Sequence, residues 1–376
     1  APEVAGISHF LEHLFFKGTP TRPARQIMEA IEMRGGQMNA FTSREYTCLY
    51  AKTLDRDIGV AIDVLSDILK NPTYDDLDKE RNVILEEIAT IIDTPDEYIH
   101  DVLGETVWPD HPLGRPISGY EESVSATHIE HIRAYKESWY RPKQMAVVIV
   151  GNIEFEPVLR LVREAFGSIA TGETPPHTGM PEFSFTMNVL ERDIAQNHLA
   201  LAFPGTAVTA EGRYRYDLLS SIFGGGSTSR LFDTIREKEG LAYAIYSYNS
   251  PYLRTGTLGV YAGVGHENLD KTVRLVFEEA RKLQDTLVNA DELDGNRQQL
   301  KGGLLMALES TFNRMSRMAR AWMFFGRIVP VSEILEGIDS VSASEIQKLA
   351  QESLNPQTCA GAVLGPLPAN GFALPV

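Results

Sequence analysis

The chain has 376 residues, 43% of them hydrophobic and 23% charged, with 35 basic against 51 acidic side chains and a net charge of −16. That length suits two domains of about 150–200 residues each, and the composition is globular, not disordered. So negative a chain is a poor candidate for a dedicated nucleic-acid binder. Two cysteines, Cys48 and Cys359, exclude a disulfide scaffold and a four-cysteine zinc site, so any metal centre must be built mainly from His, Asp and Glu.

No stretch approaches the ~20 apolar residues of a membrane span. The chain starts at APEVAGI and runs at once into a helical pattern, with neither an initiator Met nor a signal peptide. Residues are therefore expected upstream, and the sequence names no compartment; the cytoplasm is the default expectation.

In chain order, residues 7–17 (ISHFLEHLFFK) are apolar on most sides, which predicts a buried helix. A second helix is expected over 24–34, ending at Gly35-Gly36, a pair that suits a helix C-terminus. QMNAFTSREYTCLYA, residues 37–51, is rich in β-branched and aromatic residues and reads as a hairpin. Residues 55–69 place Ile58, Ala61, Ile62, Leu65 and Ile68 on one helical face, and 76–92 reads as a further helix. KQMAVVIV, residues 143–150, reads as a buried strand before Gly151-Asn152. The Pro- and Gly-rich run ATGETPPHTGMPEF then has no periodicity, the mark of a linker.

The second half repeats this order. A helix over 216–223 leads to a glycine-rich turn and a helix that stops at Gly240. The β segment LAYAIYSYNS, a strand over 257–264 and an amphipathic helix over 268–283 follow. Ile31-Glu-Met-Arg-Gly-Gly aligns without gaps on Ile235-Arg-Glu-Lys-Glu-Gly, which places Tyr243 where Asn39 stands. The expected fold class is α+β, with two tandem similar domains, each an antiparallel-rich β-sheet flanked by α-helices, at 1–170 and 185–376 with 171–184 as linker. Two unrelated α+β domains are the plainer alternative.

The chemistry concentrates in His9-Phe-Leu-Glu12-His13. On a helix His9 and His13 are i and i+4, so both imidazoles leave one face and can share an ion. Glu12 sits at the edge of that face, within reach of a water on that ion. A zinc hydrolase needs two or three protein ligands, an open position for water and a carboxylate to take its proton; this H-x-x-E-H order is the inverse of H-E-x-x-H. A surface histidine pair is the bland alternative, but Ile7, Phe10, Leu11, Leu14 and Phe15 make the setting apolar. The helix ERNVILEEIATII offers the third ligand. Glu87 shares its face with Val83, Ile84 and Ile91 and should point inward; Glu86, beside Asn82 and Thr90, should be solvated. Glu80, two turns before Glu87, is placed to support the ligands.

These residues carry a resemblance. HFLEHLFFKGT, followed about 75 residues later by ERNVILEE, is similar to the pitrilysin/insulinase family of inverted-motif zinc peptidases, in its two-domain branch typified by the mitochondrial processing peptidase. MNAFTSREYT and FGGGSTSRLFDTIREKEGLAYAIYS extend the likeness over nearly the whole chain. The resemblance implies a zinc endopeptidase holding one ion per chain through His9, His13 and Glu87, with Glu12 as general base and Glu80 as auxiliary acid. It implies that Asn39-Ala40-Phe41-Thr42 is a substrate-binding edge strand, with Asn39 and Ala40 on the substrate, and that Arg236 and Tyr243 bind substrate from a degenerate second domain. Read without it, Arg236 is a solvated helix charge, Tyr243 a half-buried strand aromatic and 39–42 an ordinary hairpin. The implied partners are peptide substrates, basic ones if the chamber is acidic, and a second chain in a homodimer or heterodimer. Some relatives are non-catalytic or partner-dependent subunits, which is the alternative function.

In the second half, YDLLSSIFGGG has Asp217, Ser220 and Ser221 near the expected ligand positions and no histidine pair, so a second zinc site is not expected. Gly224-Gly225-Gly226 lacks the G-K-[ST] ending of a phosphate loop. His111 reads as structural, and His100, His177, His198 and His266 as having no partner at ligand spacing; the weak pair His128/His131, on the polar helix THIEHIRAY, reads as a solvated face.

Overall fold

A computed structural model describes residues 2–176, 178–366 and 374; His177 therefore lies outside the described residues. The chain divides into two compact units, each discontinuous in sequence. None of the described helices is long and apolar enough to cross a membrane.

The first unit comprises Ala1–Thr90, Pro116–Thr178 and Leu308–Arg327. Helix α1 (Ile7–Phe15) is its centre, with Phe10, Leu11, Leu14 and Phe15 fully buried, as the apolar pattern requires. Helix α2 (Ala24–Glu32) ends before Gly35, whose φ of 75° is the left-handed conformation that stops a helix. Strands β1 (Gln37–Thr42) and β2 (Thr47–Lys52) form an antiparallel pair, with Asn39 opposite Tyr50 and Thr42 opposite Thr47. Helices α3 (Ile58–Lys70) and α4 (Leu77–Ile92) follow. Helix Thr311–Phe325 lays Phe312 against Tyr50 and Phe324 against Tyr46 of the hairpin.

The expected strand over 143–150 is not formed. Pro142–Gln144 is a short 3₁₀ turn, and 145–150 has no ladder partner among the described residues. Val147 is left 44% exposed. Its β-branched residues supply propensity, but a strand exists only through pairing, and β1 and β2 pair with each other.

The second unit comprises Ile91–Arg115, Gly179–Ala307 and Ile328–Val376. Its sheet runs β3 (Met187–Glu191), β7 (Ala360–Gly365), β4 (Asn197–Pro204), β6 (Gly256–Val264), β5 (Ala242–Pro251), antiparallel except for the β3–β7 pair. Side chains alternate across it. Leu199, Leu201 and Phe203 meet Val260 and Val363 on one face, in a core with helices Arg213–Gly224, Leu269–Asp285 and Ala343–Ser353. Ala200, Ala202, Ala360 and Ala362 make the other face shallow, and α5 (Pro95–Val107) fills it with Ile99, Val102, Leu103 and Val107. This fit explains why α5 belongs to the second unit although it follows α4 directly. The described residues of 171–184 form neither helix nor strand.

Candidate metal centre

Helix α1 is held in place at its start by two glycines. Gly6 and Gly119 both have positive φ, 85° and 82°, and a Cβ on either would lie 2.4–2.5 Å from a backbone oxygen of the other segment. Only glycine permits this approach. Ser123 Oγ then donates to Ala5 O at 2.9 Å.

From α1, His9 and His13 present their rings together, centroids 4.7 Å apart and planes at 70°. Glu87 arrives from α4. Its Oε1 lies 3.6 Å from His9 Nε2 and its Oε2 3.7 Å from His13 Nε2. One ligand atom from each of the three residues lies within 4.8 Å of the other two, and among the described residues this is the one such group of three or more. The spacings are too long for good hydrogen bonds yet close to the ~3.3 Å that separates two donors sharing a tetrahedral ion at ~2.0–2.1 Å. Two imidazoles and a carboxylate are also a zinc donor set. Burial, with His13 beside it, pushes His9 down to a pKa of about 4, so its imidazole is neutral and free to donate a lone pair. The residues fit zinc.

The expected surroundings of Glu87 hold only in part. Ile84 and Ile88 are buried, but Val83 is 45% exposed and the Glu87 side chain 42% exposed. Glu87 thus stands at the rim, facing the histidines. Glu86 is exposed, as its neighbours suggested. Glu80 is buried to 2% exposure, with Oε2 at 3.2 Å from His13 Nδ1 and Oε1 at 2.8 Å from Lys17 Nζ. It orients His13 from behind.

Glu12 is 9% exposed. Burial raises its carboxyl pKa; a hydrogen bond from Thr42 and the nearby His13 oppose that, and Glu87 adds to it. Thr42 Oγ1 donates to Glu12 Oε2 at 2.5 Å. A cavity of about 500 Å³ opens here, lined by Glu12, His13, Lys17, Asn39, Asp76 and Lys79 among others. Asn39 is exposed on β1, its Oδ1 accepting from Ala40 N at 2.8 Å, and among the described residues β1 has no ladder partner besides β2. The sequence did not single out Lys17, Asp76 or Lys79, and named Thr42 only as part of the edge strand 39–42. Thr42 and Lys17 stand inside the quoted segments MNAFTSREYT and HFLEHLFFKGT, but only the strand register and the helix packing reveal what they touch.

In the second unit Arg236 and Tyr243 come together. Arg236 lies in a π-helix, Phe232–Lys238, donates from Nη1 to Tyr243 O at 2.8 Å and stacks over the Tyr243 ring at 5.1 Å. Tyr243 is 80% exposed at a bulge in β5, more than the half-buried aromatic of the plainer reading. His111 accepts from Leu113 N through Nδ1 and caps a 3₁₀ turn. His128 and His131 cap the helix Ile129–Trp139.

The second unit also preserves the outline of the first unit's site without its ligands. Residues 75–82 (DDLDKERN) align on 291–298 (DELDGNRQ), setting Asn296 at the place of Glu80. Arg81 bonds Asp78 and Thr127 O; Arg297 bonds Asp294 and Val341 O. Where His13 meets Glu80, Ser221 Oγ donates to Asn296 Oδ1 at 2.7 Å. Asp217 is occupied by Asn249 Nδ2 at 2.8 Å. The Ser221–Asn296 bond thus repeats the His13–Glu80 contact with smaller, neutral partners.

Residues 1–121 match the Insulinase (Peptidase family M16) profile, and 128–300 match the Peptidase M16 inactive domain. An uncharacterized zinc protease of Bacillus subtilis, YmxG, is 38% identical over 353 residues, covering 93% of this chain and 86% of that one. One from Rickettsia felis is 36% identical over 376 residues, with 98% and 90% covered. A protease from Helicobacter pylori of known crystal structure shares the fold at a TM-score of 0.89 and 22% identity, with 97% and 90% covered. By these matches, and by the site they frame, the chain belongs to the insulinase (M16) family of peptidases.

Proposed function

We propose that the protein is a zinc-dependent endopeptidase acting on peptides or unstructured polypeptide segments. The observation that carries this is the convergence of His9, His13 and Glu87 beside a buried Glu12 at the wall of an open cavity. These three residues would hold one zinc ion per chain. When bound, zinc would supply Lewis-acid polarisation of the scissile carbonyl and a lowered pKa for the attacking water. Glu12 takes a proton from that water onto its carboxylate and passes it to the leaving amine nitrogen. Glu80 holds His13 in place. The backbone at Asn39 and Ala40 receives an extended substrate as an added strand, and the Asn39 amide donates to the scissile carbonyl oxygen as charge develops. Arg236 and Tyr243 bind the substrate chain.

In this reading two chains, identical or related, close around a chamber, the Arg236/Tyr243 pair of each serving the partner's site. The net charge of −16 favours basic peptides. The alternative is a subunit that holds zinc and cleaves only with a partner, or a non-catalytic scaffold.

The test is cleavage of a quenched basic peptide of ~10–20 residues by wild type and Glu12→Gln, with zinc content measured on both. Zinc in both and cleavage only by wild type is expected. Zinc in both without cleavage indicates the partner-dependent subunit. No zinc, and no cleavage after zinc is added, leaves the scaffold.

A further inference from the structure

Glu12 also meets a run of hydroxyl groups that do not line the cavity and that the catalytic steps do not use. Thr42 Oγ1 donates to Glu12 Oε2 at 2.5 Å. Thr47 Oγ1, directly across the hairpin, lies 3.1 Å from Thr42 Oγ1, and Ser8 Oγ lies 3.0 Å from Thr47 Oγ1. Burial raises the phenol pKa values of Tyr135 and Tyr140 nearby, so both keep their protons.

The direction of this chain follows from counting protons. An ionised carboxylate only accepts, and each hydroxyl has one proton to give. Thr42 must spend its proton on Glu12, so it accepts from Thr47. Thr47 then accepts in turn from Ser8. The hydroxyls from Ser8 to Thr42 all point at Glu12 Oε2, and such chains strengthen one another. No protein hydrogen bond to Oε1 is found among the described residues. One carboxylate oxygen is thus tethered and the other is left for chemistry.

We propose that Thr42, backed by Thr47, is a positioning residue that holds the Glu12 carboxylate in a single orientation by tethering Oε2 and directing Oε1 to the proton in transit. The inference rests on Glu12 being the general base. The register is what makes the tether: Thr42 and Thr47 are the last opposed pair before the turn, which is fastened by Ser43 N to Tyr46 O at 2.8 Å and by Tyr46 N to Ser43 Oγ at 3.2 Å. Thr42 therefore sits on the most constrained end of the hairpin, against α1.

The test uses the full chain with Thr42→Val, which keeps the shape and removes the hydroxyl, Thr42→Ser, which keeps the hydroxyl, and Thr47→Val. For zinc-loaded protein, Thr42→Val is expected to lower kcat about 10- to 100-fold with KM and zinc content unchanged. Thr42→Ser recovers most of that loss, and Thr47→Val shows a smaller one. For metal-free protein, Thr42→Val lowers the urea midpoint more when Glu12 is present than in Glu12→Gln, a readout independent of activity. An unchanged kcat, an equal loss of midpoint in both Glu12 backgrounds, loss of zinc with kcat, or failure of Thr42→Ser to rescue would each overturn the proposal. If no zinc-loaded protein cleaves by itself, the self-sufficient peptidase falls and the positioning role is decided by the metal-free cycle alone. The metal-free cycle then reports whether the tether itself exists.

Discussion

Glu80 divides its carboxylate between two partners, holding His13 Nδ1 at 3.2 Å through one oxygen and Lys17 Nζ at 2.8 Å through the other, with its side chain only 2% exposed. A buried carboxylate needs such compensation. Here the compensation fixes the imidazole as well, because a histidine bound through Nδ1 has only Nε2 to present to a metal.

Zinc affinity should therefore depend on a residue that is not a ligand. Glu80→Gln keeps the volume but loses the charge toward both His13 and Lys17, and is expected to weaken zinc binding about 10- to 100-fold. Competition against a chelator of known affinity measures this. Unchanged affinity would mean that Glu80 serves packing alone.

Zinc binding should also stabilise the first unit, because the ligands come from two helices far apart in sequence, His9 and His13 on α1 and Glu87 on α4. Free zinc at 1,000 times its Kd adds about 4 kcal/mol to the folded state. Thermal unfolding of chelator-treated protein with and without added zinc is expected to show the shift in wild type and none in His13→Ala. An equal shift in both would place the binding elsewhere.

Asp217 in the second unit offers a test by pH. Burial raises its pKa, opposed by the Asn249 hydrogen bond and by Arg213. An acid raised by folding contributes most stability below its unfolded pKa and loses that contribution as pH rises through the folded value. Once pH passes the folded value, the fold carries an ionised, poorly solvated carboxylate. The neighbouring Asn249 Oδ1 is buried without a hydrogen-bond partner. Asp217→Asn supplies a neutral group that can still accept from Asn249, and is expected to raise stability at pH 7 by about 1 kcal/mol. The gain should vanish below about pH 4. Urea midpoints at the two pH values check it, and destabilisation at pH 7 would show that Arg213 compensates the charge.

Much of the site was legible because its decisive spacing is local. His9 and His13 share a face by helical period alone, whatever the rest of the chain does. The hairpin at 37–52 and the helix stop at Gly35 were equally local. Glu87 was chosen by its face, which proved less apolar than Val83 suggested, and it stands at the rim beside the histidines. The strand expected over 143–150 failed for the opposite reason: its residues favour extended backbone, but pairing depends on what lies alongside, which periodicity does not encode. The helix α5 likewise gives no sign in its own letters that it covers Ala200, Ala202, Ala360 and Ala362.

The sequence by itself determined the chemistry available: two imidazoles one helical turn apart, a carboxylate at the edge of their face, and a second half that lacks the pair. Only the tertiary structure decided how that chemistry is held. It placed Lys17 on Glu80, turned Thr42 to Glu12 and left Ser221 bonded to Asn296 where His13 meets Glu80. These contacts join residues 30 to 75 positions apart. Periodicity describes one element at a time; distances between elements are set by packing.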